Sequence, residues 1–106
     1  MAALVCIPSA IPAAEREQHF ALARRLLKDV AKERVALLDG FAFRFDADAL
    51  ESVARFVVNE RKCCPFVDFE MRIERDDGPL WLRMTGPEGT LEVLASELQA
   101  GTGDCC

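Results

Sequence analysis

From Ala13 to Lys32 the apolar residues Phe20, Ala23, Leu26, Leu27 and Val30 recur at three- and four-residue spacing, with Glu, Arg and Lys between them. That period predicts an amphipathic helix, and Pro12 suits its first turn, where a missing N–H costs nothing. The period then drops to two. In RVALLDGFAFRFD, Phe41, Phe43 and Phe45 alternate with Ala42, Arg44 and Asp46, and Asp39-Gly40 between the apolar runs predicts a type I′ hairpin turn. A second helix is expected from an N-cap at Asp46 or Asp48 to about Lys62, with Leu50, Val53, Ala54, Val57 and Val58 as its apolar stripe. Pro65 disfavours helical geometry at Cys64 and sets the stop.

A second hairpin follows. Phe69, Met71 and Ile73 alternate with Asp68, Glu70, Arg72 and Glu74; Leu80, Leu82 and Met84 share a face, opposite Trp81 and Arg83; Asp77-Gly78 marks the turn. A closing helix from about Pro87 to Ala100 carries Leu91, Leu94 and Leu98 inward. The order helix-hairpin-helix-hairpin-helix predicts a single α+β domain over residues 1–100, an antiparallel sheet with helices packed on it. Gly101 to Asp104 reads as a flexible tether, so that 101–106 is a tail bearing Cys105 and Cys106.

Composition narrows the function classes. A net charge of −5 argues against nucleic acid, whose recognition rests on clustered Lys and Arg. No stretch approaches the ~20 apolar residues of a membrane span. The N-terminus lacks a basic n-region and is broken by Pro8 and Pro12, so it does not read as a signal peptide and the expected location is cytoplasmic. Five cysteines is an odd number for a disulfide framework, and reduced thiols are the expectation.

Four of the five stand as adjacent pairs, Cys63-Cys64 and Cys105-Cys106. Neighbouring Cα atoms lie ~3.8 Å apart, below the roughly 4.4–6.8 Å usual for a disulfide. Side-by-side thiols therefore read as metal ligands or as a nucleophile with its resolving partner. Thiolates select soft ions, among them copper(I), zinc and iron–sulfur centres; by the same softness mercury(II) and arsenic(III) join them. Cys63, Cys64, Cys105 and Cys106 are the candidate ligands, the tail pair acting as a mobile arm that scavenges or delivers the ion to a partner protein or links chains into an oligomer. Arg61 and Lys62 favour thiolate at Cys63 if it is partly exposed, whereas the helix C-terminus opposes it. Against this stands the reading of Cys63 and Cys64 as small buried hydrophobes. Cys6, in an apolar segment, reads as structural, and His19 as a surface or internally satisfied residue. No C-x-x-C zinc spacing is present.

The segments ERKCCPF (Glu60 to Phe66), DGFAFRF (Asp39 to Phe45), the aromatic Phe69 and WLRMTGPEGT (Trp81 to Thr90) resemble a family of small bacterial proteins with an ERxCCPF signature, over about residues 39–95. The resemblance implies an association with heavy-metal, especially mercury, resistance loci. The tail pair is similar to the one with which mercuric reductases collect mercury, an analogy between unrelated folds. Two enzyme readings stay open. In one, Cys63, Cys64 and Asp68 imitate the two thiolates and acid of an organomercurial lyase, although Asp68 alternates with Phe69 and reads as a solvated carboxylate. In the other, Cys63 and Cys64 serve thiol–disulfide chemistry, which favours C-x-x-C at a helix start.

Overall fold

The computed structural model describes residues 4–100; the tail with Cys105 and Cys106 lies outside the described residues. The fold is α+β, with three α-helices and a four-stranded antiparallel sheet among the described residues. In chain order these are α1 (Ala13–Arg24), β1 (Glu33–Leu37), β2 (Gly40–Phe45), α2 (Leu50–Cys63), β3 (Asp68–Ile73), β4 (Leu80–Thr85) and α3 (Thr90–Ala100). The strands lie in the order β1-β2-β4-β3, which makes β2 and β4 the central pair.

Register explains which face is buried. Phe41, Phe43 and Phe45 pair with Met84, Leu82 and Leu80, and these in turn pair with Phe69, Met71 and Ile73 of β3. Directly opposed residues project to the same side of a sheet, so the three rows form one apolar face. It closes on Ala23, Leu26, Val53, Phe56 and Leu94 from the helical layer. Burial of each large side chain here contributes on the order of 1.5–3 kcal/mol. The rows fade at the edge, where Ile73 is exposed. The opposite face carries Ala42 opposite Arg83 and Arg44 opposite Trp81. Surface ion pairs Arg44–Glu33 and Arg83–Glu70 lie on that side.

Several local expectations are corrected. The first hairpin loop is Leu38-Asp39, because Leu37 pairs with Gly40; Gly40 belongs to the ladder and has no positive φ. A glycine is needed there for another reason: a Cβ would run into the carbonyl oxygen of Met84 on β4. In the second hairpin the I′ conformation sits one residue before Asp77-Gly78. Asp76 and Asp77 have φ of 59° and 57°, and Gly78 N–H donates to Arg75 C=O at 3.1 Å, as a type I′ turn centred on Asp76-Asp77 requires. Pro12 occupies the N-cap of α1 rather than its first turn. Past Arg24 the helix widens into a π-helical stretch, Arg25–Val30.

Neither Asp46 nor Asp48 caps α2. A 3₁₀ turn, Ala47–Ala49, intervenes, and the N-cap position falls to Ala49 without a side-chain bond. The stripe of α2 is also rotated from the expected one. Val53, Phe56, Asn59, Glu60 and Cys63 are its buried residues, whereas Ala54 and Val58 are exposed. Two polar side chains thus enter the interior with this helix. The closing helix begins at Thr90 rather than Pro87, and Thr90 Oγ donates to the Pro87 carbonyl at 2.7 Å.

Candidate functional site

The end of α2 sets the site. Cys63 is its last residue and Cys64 its C-cap, with φ −117° and ψ 77°, the departure from helical geometry that Pro65 demands. Both cysteines are completely buried. The condition under which Arg61 and Lys62 would activate Cys63, partial exposure, is therefore not met.

The N-terminal segment runs across this end. Ile7 N–H donates to the Cys63 carbonyl at 2.6 Å and so seats Cys6 over α2. Cys6 Sγ and Cys64 Sγ lie 2.8 Å apart, well inside ordinary sulfur–sulfur contact. α3 adds a carboxylate: Cys6 Sγ donates to Glu97 Oε1 at 3.2 Å. Among the described residues Cys6, Cys64 and Glu97 form a group whose ligand atoms all lie within 4.8 Å of one another. Three segments distant in sequence converge on it.

A second carboxylate backs the first. Cys64 Sγ approaches Glu60 Oε2 at 3.9 Å, and Glu60 Oε1 lies 2.8 Å from His19 Nε2 on α1. Glu60 has no exposed surface and His19 very little. Burial pushes the Glu60 carboxyl above its ordinary value, and the hydrogen bond and charge of His19 oppose that rise. Loss of hydration, followed by the nearby Glu60 charge, raises Glu97 from 4.5 to about 7. At neutral pH the site thus presents two sulfurs beside a carboxyl close to half protonation, a donor set that suits a thiophilic cation and can hold a proton.

The arrangement redraws the sequence-based site. Cys64 belongs to the group; its neighbour Cys63 is buried in the core cluster and is not in it. Asp68, considered as an acid, is exposed at the start of β3, and the carboxylates beside the sulfurs are Glu97 and Glu60 instead. Cys6, read as structural, brings a sulfur to the group, and His19, read as a surface or internally satisfied residue, is buried and satisfied by Glu60. A signal for His19 and Glu60 does exist in the chain: His19 lies four and seven residues before Ala23 and Leu26, and Glu60 lies seven and four after Val53 and Phe56. Each is a polar residue in phase with a buried stripe. No periodicity points from Cys6 to Cys64, which only the folded chain brings together.

No helix among the described residues is long and apolar enough to cross a membrane. Comparison with protein-family models, with curated proteins and with solved structures finds no match for this chain.

Proposed function

We propose that the protein captures a soft, thiophilic metal ion, with mercury(II) as the preferred cargo, on the sulfurs of Cys6 and Cys64. The observation that carries this reading is the meeting of two cysteine sulfurs and the Glu97 carboxylate in one group. Soft thiolates favour soft ions over the harder ones that oxygen ligands prefer, and Glu97 supplies a third donor or accepts a proton displaced from a thiol on binding. Copper(I), zinc and arsenic(III) are the competing cargoes.

Capture requires the pair to open. With metal–sulfur bonds of ~2.3 Å, two sulfurs on one tetrahedral zinc sit about 3.8 Å apart, against 2.8 Å here. Cys6 lies on a segment outside the α-helices and strands, and in this account it is the side that moves. In this account Cys105 and Cys106 form the second pair, handing the ion to Cys6 and Cys64 or onward to a partner. Sequestration or trafficking in metal resistance, in the cytoplasm, is the corresponding role. A disulfide between Cys6 and Cys64 would withdraw both ligands, so the protein must be reduced to bind.

The test is native mass spectrometry of reduced protein titrated with mercury(II) against excess small-molecule thiol. In a Cys105→Ser/Cys106→Ser background, which removes the tail pair, the parent protein and Cys63→Ser retain one ion, while Cys6→Ser and Cys64→Ser each lose it. Retention of mercury with unchanged competitiveness in Cys6→Ser or Cys64→Ser would refute the assignment.

A further inference from the structure

The sulfur site leaves one side of the His19–Glu60 pair unused. His19 Nε2 is engaged by Glu60 at 2.8 Å, and its ring lies nearly parallel to that of Phe56, with centroids 5.6 Å apart and planes inclined by 13°. The imidazole is thereby fixed at one edge and one face. Its other nitrogen, Nδ1, is buried and has no hydrogen-bond partner among the described residues. With Nε2–H donated to the Glu60 carboxylate, Nδ1 is left as a lone pair. A histidine oriented by an outer carboxylate is the usual form of a metal-ligating imidazole.

The same pocket holds a second unsatisfied atom. Asn59, 93% buried by its 7% exposure, turns Nδ2 toward Glu15 Oε1 at 3.4 Å. That orientation leaves Oδ1 buried and without a partner among the described residues. Glu15 and His19 are four residues apart on α1 and so share a face; Asn59 comes from α2. Together with Gln18, Leu22 and Arg55 they line a pocket of about 130 Å³ between the two helices. A cavity of this size holds an ion with several waters, or a small molecule.

We propose that this pocket binds a divalent cation of the imidazole-preferring class, zinc(II) or nickel(II), through His19 Nδ1, Asn59 Oδ1 and the Glu15 carboxylate. In the tautomer that donates Nε2–H to Glu60 all three groups are acceptors, a set that suits a cation. Water completes the coordination, as in open zinc sites. Arg55, exposed at the rim, is the opposing charge, and the cation displaces it toward solvent. This site shares no ligand with the sulfur group. It is borderline in ligand chemistry where the other is soft, and the proposal does not rest on mercury capture.

The chain has a single histidine, which makes the experiment site-specific. The imidazole ¹⁵N resonances of the reduced full-length protein are followed while zinc(II) is added. The expected result is a saturable shift of Nδ1, weakened about tenfold in Glu15→Gln and tightened in Arg55→Ala. Both of these substitutions fall on exposed residues, and an unchanged circular dichroism spectrum checks that each variant keeps the fold. Unchanged His19 resonances at millimolar zinc, with zinc taken up by the sulfurs alone or with only water in the pocket, would overturn the proposal. So would an unaltered midpoint in Glu15→Gln, or weaker binding in Arg55→Ala, which would mark the pocket as a site for an anion or zwitterion.

Discussion

Replacing Glu97 with Gln separates the electrostatic cost of the sulfur site from its packing. Glu97 is half-buried on α3, and desolvation with the Glu60 charge raises it from 4.5 to about 7. A carboxyl whose folded-state value lies above its unfolded one binds its proton more tightly in the fold. Its penalty is therefore absent below about pH 4.5, grows as pH rises, and is complete above about pH 7. At ~1.36 kcal/mol per tenfold change in proton affinity, a rise of this size corresponds to about 3 kcal/mol at most. Solvent screening at a half-exposed position reduces it to about 1–2 kcal/mol. Glu97→Gln keeps the Oε1 acceptor for Cys6 and removes the charge. Urea denaturation of the reduced proteins should give equal stabilities near pH 4.5 and an advantage of about 1–2 kcal/mol for the variant at pH 8. A pH-independent difference, or an advantage for wild type at pH 8, would refute the reasoning.

Two further substitutions test the frame around the site. Gly40→Ala drives a Cβ into the Met84 carbonyl in the central β2–β4 pair, and thermal denaturation should show a loss of about 3 kcal/mol or more, within the range of a clash that must move backbone. His19→Phe removes the partner of a fully buried carboxylate and should destabilise by about 3 kcal/mol at pH 7, whereas His19→Phe/Glu60→Leu should recover much of that loss; a double variant less stable than the single one would contradict the buried-pair account.

The parts of the fold set by periodicity were legible in the chain. The alternation of Phe41, Phe43 and Phe45 is the inner face of β2, and Leu80, Leu82 and Met84 are the matching face of β4. What periodicity hid was polar residues in apolar phase. On α2 the stripe drawn through Leu50, Val53, Ala54, Val57 and Val58 treated only hydrophobes as inward, while the true stripe continues Val53 and Phe56 through Asn59, Glu60 and Cys63. Glu60 is tolerated there because His19, on another helix, satisfies it. The turns failed for a related reason. Asp-Gly is a local preference, and the strand register, set by the apolar rows, placed the loops one residue earlier in both hairpins. Half of the sulfur pair was visible as Cys64. Its partner Cys6 is 58 residues away, and only the packing of the N-terminal segment on the end of α2 joins them.

The central claim is that Cys6 and Cys64, rather than the adjacent Cys63 and Cys64, hold the ion. The most direct measurement is to load one equivalent of mercury(II) onto reduced Cys105→Ser/Cys106→Ser protein. The protein is then alkylated under unfolding conditions that retain the ion, and the protected cysteines are mapped by peptide mass spectrometry. The account predicts protection of Cys6 and Cys64 with Cys63 fully alkylated. Protection of Cys63 together with Cys64, with Cys6 alkylated, would contradict it.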